Sequence, residues 1–303
     1  MSEIRFDDRV AIVTGAGGGL GKTYALELAR RGAKVVVNDL GGAADGTGAG
    51  SSMADEVVKE IEAAGGMAVA NYDSVSTPEG GEAIVQTAVD NFGKVDIVIN
   101  NAGILRDKSF SKLEPENLEI VLDVHLKGAF FVSQPAFRVM KENNFGRFIF
   151  TASGAGIFGN FGQTNYGAAK MGLVGLSSVL AVEGARNNIK CNVIAPIART
   201  RLTEQLLGPM AEHLDPAFVT PLVVYLSSEA CELTHEIFDV GGGRYARIFV
   251  GLCPGWTAPK GGPPAVEDIE ANLGTILETE GYGIPESIAG EMQSTMEALK
   301  ERS

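Results

Sequence analysis

Cysteine and histidine are scarce in this chain of 303 residues, which contains three of each. The cysteines, Cys191, Cys231 and Cys253, are widely spaced and odd in number, so they match neither a disulfide framework nor a metal-ligand pattern. The histidines are equally scattered, and the sequence therefore predicts no metal site. Unpaired thiols are typical of a reducing compartment, and we expect a cytoplasmic protein.

Basic residues are also in the minority. Lys and Arg number 25 against 38 Asp and Glu, which gives a formal net charge of −13. Nucleic acids and anionic membranes attract an excess of Lys and Arg, so we expect neither as a partner. No uninterrupted apolar run reaches the roughly 18 residues that cross a bilayer. The charged amino terminus lacks the apolar core of a signal peptide, and the final Glu-Arg-Ser is not a peroxisomal address.

Short β-branched segments alternate with longer amphipathic segments from residue 9 to about residue 240. The predicted strands are Arg9–Thr14, Lys34–Asp39, Met67–Asn71, Val95–Asn100, Arg147–Thr151, Lys190–Ala195 and Glu236–Val240. Predicted helices cover 20–31, 52–64, 79–92, 115–141 and 164–187. Several strands are apolar nearly throughout, as in parallel sheets that are buried on both faces. The alternation predicts an α/β fold: a doubly wound parallel sheet with helices on both faces.

The carboxyl-terminal part of the sequence has a different composition. Residues 253–264 are rich in Pro and Gly and predict a linker, with helices expected over 265–280 and 285–301. We therefore expect a first domain over 1–252 and a helical extension over 253–303. This extension either packs over the rim of a cleft or is the solvated remnant of an interdomain linker.

The predicted helix 164–187 suggests an oligomer. Its segment AAKMGLVGLSSVLAV contains a single Lys, and an apolar helix face without charge is usually covered. We expect a homodimer or a higher homo-oligomer.

A glycine-rich turn follows the first predicted strand and precedes a helix. Gly15 permits a tight turn, Gly19 lets the backbone approach a pyrophosphate, and Gly21 allows close packing of helix on sheet. The start of the helix directs unpaired N–H groups at the phosphates. In this context, the pattern predicts a Rossmann-type dinucleotide site.

Asp39 ends the second strand about 20 residues further on, where a carboxylate binds both hydroxyls of a ribose. The same carboxylate would repel the 2′-phosphate of NADP, and the residue before Gly19 is Gly18 rather than an Arg. The sequence therefore favours NAD as the cofactor.

Tyr166 and Lys170 are four residues apart on one predicted helix, so they share a face. Ser153 lies upstream, directly after an apolar strand that delivers it to the carboxyl edge of the sheet. An ammonium group and the positive ring of an oxidised nicotinamide would lower the pKa of the phenol and make it a usable base. The three residues predict alcohol–ketone chemistry with Tyr166 as acid/base.

With these motifs the chain resembles the short-chain dehydrogenase/reductase family over about residues 5–245. The family's Asn-Asn-Ala-Gly segment corresponds to Asn100–Gly103, and its Ser, Tyr and Lys correspond to Ser153, Tyr166 and Lys170. The resemblance implies a nicotinamide-dependent oxidoreductase. The implied cofactor-binding residues are Gly15, Gly19, Leu20, Gly21, Asp39, Asp73, Ser74, Val75, Asn101, Tyr166, Lys170, Ala198 and Thr200.

Two positions depart from the family pattern. His125 stands where the family often has an Asn that completes a proton relay, and it either serves that relay as a catalytic residue or only packs against its helix. After the sixth strand, the usual Pro-Gly is Pro196-Ile197, which leaves the details of that loop open.

The segments VVVNDLGG, NNAGILRDKSF and GNFGQTNYGAAKMGL resemble one subgroup more closely, the dehydrogenase part of the peroxisomal multifunctional enzymes type 2. This implies NAD-dependent oxidation of (3R)-3-hydroxyacyl-CoA to 3-oxoacyl-CoA in fatty-acid or sterol side-chain β-oxidation. Since no further domain follows, we expect a free-standing version. Specificity is expected to lie in residues 153–162, 197–215 and the tail.

Other functions stay open. The subgroup is also known for 17β-hydroxysteroid dehydrogenase activity, so the substrate is an acyl-CoA or a steroid. A 3-oxoacyl-carrier-protein reductase would usually require NADPH, which Asp39 opposes. A non-catalytic nucleotide sensor on the same fold would need no Ser, Tyr and Lys set.

Overall fold

The computed structural model describes residues 3–204 and 208–300. Residues 205–207 of the predicted specificity segment and residue 301 of the last predicted helix lie outside this range. The chain forms two compact units, Met1–Arg247 and Ile248–Ser303, so the first unit ends five residues before the boundary predicted at 252.

The first unit is built on one sheet. Its strands are β1 (Val10–Thr14), β2 (Lys34–Asn38), β3 (Met67–Asn71), β4 (Ile97–Asn100), β5 (Gly146–Thr151), β6 (Ile189–Pro196), β7 (Ile237–Gly241) and β8 (Arg244–Ile248). They lie in the order β3-β2-β1-β4-β5-β6-β7-β8. The strands from β1 to β7 pair in parallel. β1, β4 and β5 are buried at every position, which accounts for their nearly continuous apolar sequence.

Helices cover both faces of this sheet. They are α1 (Gly19–Arg30), α2 (Ser52–Ala63), α3 (Pro78–Phe92), α4 (Pro115–Leu122), α5 (Gly128–Asn143), α6 (Gly154–Ile157), α7 (Thr164–Gly184) and α8 (Thr220–Ser227). α1 packs with α2 and α8, whereas α3 packs with α5, and α7 with α4. The predicted doubly wound fold is confirmed.

Three features differ from the sequence-based prediction. The predicted helix 115–141 is interrupted by a π-helical turn over Asp123–Lys127, which separates α4 from α5. β8 was not predicted; it follows a tight turn at Gly242 and Gly243, and its alternation of exposed and half-buried positions gives it no apolar run. The short helix α8 was also missed.

The helical segment Thr164–Asn187 is apolar and long enough to cross a membrane by length and composition, with a mean hydropathy of 1.3. It packs on β5 and β6, and buries Leu173 and Ala181. A core helix of an α/β domain meets the same criteria, so this feature does not indicate a membrane protein.

The second unit contains α9 (Val266–Ala271), α10 (Leu273–Leu277) and α11 (Ile288–Lys300). The helix predicted over 265–280 is therefore divided at Asn272 and ends early. Leu252 and Gly283 form an antiparallel bridge, and the rings of Phe249 and Tyr282 stack at 5.2 Å.

The strand order changes direction between β1 and β4. β1 is flanked by β2 on one side and by β4 on the other, so the connections leave the sheet in opposite directions and open a crevice at the carboxyl edge. Ligands of doubly wound sheets bind in this crevice, which is where the predicted site residues converge.

Candidate active site

A cleft of about 500 Å³ lies at this carboxyl edge, within the first unit. The predicted site residues that line it are Gly15, Gly19, Leu20, Asp39, Asn101, His125, Ser153, Tyr166, Lys170, Ala198 and Thr200. The cleft thus unites the predicted dinucleotide turn with the predicted catalytic set. In the described part of the chain, no three His, Cys, Asp or Glu side chains cluster as they would around a metal ion.

The turn between β1 and α1 leaves no room for a side chain at Gly15, Gly17 or Gly21. Gly15 and Gly19 have positive φ values of 64° and 51°, which favour glycine. A Cβ on Gly21 would lie 2.2 Å from the carbonyl oxygen of Gly15, so the first turn of α1 is pressed directly against the end of β1. This cradle fits a pyrophosphate, because backbone N–H groups rather than side chains border the cleft.

Thr14 and Asn101 join the ends of β1 and β4. The Thr14 hydroxyl oxygen accepts hydrogen bonds from the backbone N–H groups of Asn101 and Ala102, at 3.0 and 3.1 Å. The Asn101 side-chain amide donates to the carbonyl oxygens of Thr14 and Gly15, at 3.0 and 3.1 Å. Sequence analysis assigned Asn101 to the cofactor site but missed Thr14, whose position at the end of a strand was the available signal.

Asp39 follows β2 and is buried at the far end of the cleft. One carboxylate oxygen accepts from the backbone N–H of Gly17 at 2.8 Å, and the other accepts from Gly41 at 2.7 Å. These two bonds fix the carboxylate beside the glycine turn. Each oxygen keeps a further lone pair, so the group can still accept hydrogen bonds from a ribose.

Asp73, Ser74 and Val75 do not line the cleft. They follow β3, next to the end of β2, where the Asp73 carboxylate accepts from the Asn71 side chain at 2.7 Å. The Ser74 hydroxyl contacts that of Ser76 at 2.8 Å, and Val75 is buried. Their predicted contact with adenine therefore stays a prediction.

The Ser153 hydroxyl oxygen accepts the N–H of Ala155 at 3.2 Å, which leaves its proton free to be donated into the cleft. The Lys170 ammonium is buried and donates to the Thr151 carbonyl oxygen at 2.5 Å. It lies 5.5 Å from the centre of the Tyr166 ring. β5 and α7 thus bring together the three residues that the sequence predicts.

The expected lowering of the Tyr166 pKa, which includes the charge of an oxidised nicotinamide, stays a prediction. Burial raises the pKa of Tyr166 to about 12; a hydrogen bond from Ser153 lowers it, and the charge of Asp107 raises it further. Burial also lowers the pKa of Lys170 to about 7. The protein's own groups therefore favour a neutral phenol.

His125 is buried on the π-helical turn, with its ring edge-on to that of Tyr166 at 5.1 Å. Its Nε2 lies 2.8 Å from the carbonyl oxygen of Ile104 and 3.1 Å from the backbone nitrogen of the same residue, so it donates to the former or accepts from the latter according to the tautomer. Burial and the charge of Lys170 hold the pKa of His125 well below its usual value, which keeps the ring neutral. Among the described residues, its buried Nδ1 has no hydrogen-bond partner.

The cleft also contains Leu105 and Gln163, which sequence analysis missed, and Phe158 and Asn160, which belong to the predicted specificity segment 153–162. Asn160 and Gln163 line it and hydrogen-bond each other through their side chains at 2.9 Å. Leu105 and Phe158 add apolar surface at the same end. Gln163 directly precedes α7, three residues before Tyr166, and this proximity was the signal that could have identified it.

The comparison with protein families accounts for this arrangement. A model described as short chain dehydrogenase matches residues 9–207. The chain belongs to the short-chain dehydrogenase family. The predicted family resemblance is confirmed, and the protein is an oxidoreductase of this family with a nucleotide cofactor of the NAD(P) type.

Three relatives place the chain more closely within the family. A short-chain type dehydrogenase/reductase of Mycobacterium tuberculosis is 54% identical over 91% of this chain and 96% of its own length. The peroxisomal multifunctional enzyme A of Dictyostelium discoideum is 57% identical over 81% of this chain and 55% of its own. The structure of full-length peroxisomal multifunctional enzyme type 2 from Drosophila melanogaster matches with 39% identity and a TM-score of 0.82.

The chain spans only part of the multifunctional relatives. It covers 55% of the Dictyostelium enzyme and 50% of the Drosophila structure, although 98% of this chain is matched in the latter. The similarity to the Drosophila structure thus includes the second unit as well as the dehydrogenase domain.

The glycine cradle gives the first prediction. In Gly21→Ala the new methyl group would overlap the Gly15 carbonyl, forcing the first turn of α1 away from the sheet at a cost of about 1–3 kcal/mol. We expect the dissociation constant of NADH or NADPH to rise at least about tenfold by the same reasoning, measured by fluorescence titration. Gly274→Ala is the matched control, since its Cβ meets nothing within 4 Å. Unchanged cofactor affinity in Gly21→Ala would contradict the assignment of this turn as the pyrophosphate site.

Proposed function

We propose that this dehydrogenase uses NAD to oxidise the 3-hydroxyl group of (3R)-3-hydroxyacyl-CoA thioesters to a ketone. The observation that carries the proposal is the single cleft that holds both the glycine turn and the Ser153, Tyr166 and Lys170 set. Its apolar end, with Leu105 and Phe158, suits an acyl chain. The resemblance to the multifunctional enzymes supports the thioester as the substrate.

In the proposed reaction, Ser153 and Tyr166 both contact the substrate hydroxyl. The Ser153 hydroxyl donates to the substrate oxygen, and the Tyr166 phenolate accepts the proton as the carbon–oxygen double bond forms. A bound oxidised nicotinamide supplies the acceptor for the hydride and a positive charge beside the phenol. That charge would add to that of the Lys170 ammonium, 5.5 Å from the centre of the ring, and would oppose burial, which raises the pKa of Tyr166.

Lys170 and His125 have supporting roles in this proposal. Lys170 holds two N–H donors beyond the one used by Thr151, and these suit the hydroxyls of the nicotinamide ribose. His125 takes the place of the relay Asn, where its Nδ1, in the tautomer with the proton on Nε2, would accept a hydrogen bond within the relay without being protonated itself. A neutral imidazole is required for this, and burial provides it.

Tyr166→Phe tests the acid/base assignment. Because the ring is retained and only the proton acceptor is lost, kcat should fall about 10²- to 10⁴-fold while NAD affinity is preserved. Initial rates of NADH formation with (3R)-3-hydroxyacyl-CoA and with a 17β-hydroxysteroid measure the effect. The control is Tyr225→Phe, at a half-exposed tyrosine of α8. A Tyr166→Phe enzyme with more than a tenth of the original kcat would refute the acid/base assignment. If the native enzyme oxidises the steroid and not the thioester, the thioester is not its substrate.

NAD is proposed as the cofactor because of Asp39. Its buried carboxylate lies beside the glycine turn, where the 2′-phosphate of NADP would meet a like charge. Gly18 borders the cleft without offering a cation to that phosphate.

Asp39→Ala should narrow the preference for NAD. Loss of the carboxylate removes a ribose acceptor and relieves the repulsion, so the ratio of kcat/KM for NAD over NADP should fall about 10- to 100-fold, or about 1.4–2.8 kcal/mol. The exposed Asp90 of α3 provides the control, Asp90→Ala. A native enzyme that already prefers NADP would rule out the proposal.

A homodimer or higher homo-oligomer is also proposed, in the cytoplasm and without nucleic acid or membrane as a partner. The outer face of α7 leaves Met171, Val179 and Val182 exposed, and α5 adds Phe130. Exposed apolar side chains on two helices are typical of a surface that a second subunit covers. Sedimentation equilibrium should give at least twice the 31.8 kDa of one chain, and Val179→Glu should shift it towards the monomer. A native protein that sediments as a monomer at micromolar concentration would exclude the dimer.

A further inference from the structure

One rim of the cleft is a rigid strip of chain with an unusual composition. It consists of residues 105–112, the segment that leaves β4 and passes the opening of the cleft at Leu105. We call it the 105–112 rim. Its residues 106–108 are hydrogen-bonded to residues around the amino-terminal end of α7, and these bonds hold the backbone of the rim in place.

Three consecutive residues of the rim make these bonds. The Asn165 side chain donates to the Arg106 carbonyl oxygen at 3.1 Å, and the Gln163 side chain donates to the Asp107 carboxylate at 2.7 Å. The backbone N–H of Lys108 donates to the Gly162 carbonyl oxygen at 2.9 Å. The 105–112 rim therefore stays in register with the helix that carries Tyr166.

Two of the exposed side chains of the rim are cationic, and one, Asp107, is anionic. Lys108 and Lys112 are exposed, and neither forms an ion pair with any carboxylate in residues 3–204 and 208–300. Asp107, next to Lys108, accepts a hydrogen bond from the Gln163 side chain, and the carboxylate nearest to Lys112 in sequence is the exposed Glu114. In a chain of net charge −13, two exposed lysines without an ion pair, on the segment that continues from Leu105 of the cleft, are available to an anion.

Aromatic rings accompany these cations. Phe110 lies between the two lysines and is 77% exposed, and Phe161, beside the bond between Lys108 and Gly162, is 90% exposed. Exposed phenylalanines are costly unless a partner covers them, and a purine ring stacks well on such a surface. Together, the cations could bind the phosphates of a nucleotide while its base stacks on an exposed aromatic ring.

The position of the rim indicates which nucleotide this is. The start of the rim, at Leu105 and Arg106, hydrogen-bonds the loop that follows Asp39, whereas Lys108 is bonded to Gly162, beside Gln163 of the cleft. A substrate that reacts at Tyr166 and extends away from the cofactor leaves the cleft over this rim. A coenzyme A thioester ends in an adenosine 3′,5′-bisphosphate, whereas a steroid has neither phosphate nor purine.

We propose that Lys108 and Lys112 bind the phosphates of the coenzyme A nucleotide, with its adenine over Phe110. The proposal rests on the proposed function, because it assumes that the substrate is a coenzyme A thioester. It adds a binding site for the part of the substrate that takes no part in the reaction. Such a site lowers KM without acting on the reacting carbon.

The test compares three thioesters of one (3R)-3-hydroxyacyl group: with coenzyme A, with dephospho-coenzyme A, and with N-acetylcysteamine, which has no nucleotide. In the variant Lys108→Gln/Lys112→Gln we expect KM for the coenzyme A thioester to rise about five- to tenfold, as for two exposed ion pairs. The increase should be smaller for the dephospho form, and the N-acetylcysteamine thioester is the internal reference. Lys141→Gln, at an exposed lysine near the end of α5, is the matched control.

Salt gives a second readout. KM of the native enzyme for the coenzyme A thioester should rise with ionic strength, because exposed charge pairs are screened, and this dependence should be weaker in the double variant. An equal rise of KM for all three thioesters would mean that the variant disturbs the cleft itself, and this overturns the proposal. So would an unchanged KM for the coenzyme A thioester.

The outcomes separate this proposal from the proposed function. If the native enzyme oxidises all three thioesters and the lysine substitutions leave KM unchanged, the proposed function stands and the nucleotide site is overturned. If the native enzyme oxidises none of the three thioesters, both the proposed function and the nucleotide site are overturned. If the lysines affect only a thioester of an acyl-carrier protein, the rim binds an acidic protein, and the nucleotide assignment is overturned.

Discussion

The close contact between the Gly15 carbonyl and the first turn of α1 is the constraint on which the cleft depends. With 2.2 Å available to a Cβ at Gly21, the two elements pack without side chains between them. Asn101 can then donate to both Thr14 and Gly15, and this ties β1 to β4 at the point where the sheet opens. The chain beyond Asn101 leaves from a fixed position and becomes the rim of the cleft. The cofactor side and the substrate side are thus set by the same contact.

A second constraint comes from the interrupted helix. A continuous helix over 115–141 would keep a regular 3.6-residue period, whereas the π-helical turn over Asp123–Lys127 changes which side chains face inward. It places His125 between the Ile104 backbone and the Tyr166 ring. A group with a low pKa is kept neutral there by burial and by Lys170. The interruption therefore adds a buried imidazole to the site at a position where the family often has an amide.

Local patterns in the sequence predicted the parts that depend on local physics. Buried parallel strands such as β1 require apolar residues, and the turn after it requires glycines, so both are visible in the sequence. The sequence could not predict the direction in which the protein shifts the pKa of Tyr166, because this shift depends on how deeply the phenol is buried. The bond between Gln163 and Asp107 joins residues 56 positions apart, and no periodicity reveals such a pair. Sequence reasoning thus found the groups, and the fold determined their electrostatics.

The placement of charge across the cleft connects the two ligands in the proposed function. Both NAD and a coenzyme A thioester contain an adenosine diphosphate, so shape alone does not keep each on its own side. The buried carboxylate of Asp39 opposes a third phosphate at the cofactor side, whereas Lys108 and Lys112 favour one at the 105–112 rim. Coenzyme A has that third phosphate and NAD does not. Opposite charges at the two ends would therefore sort two similar nucleotides, by repulsion at one end and by attraction at the other.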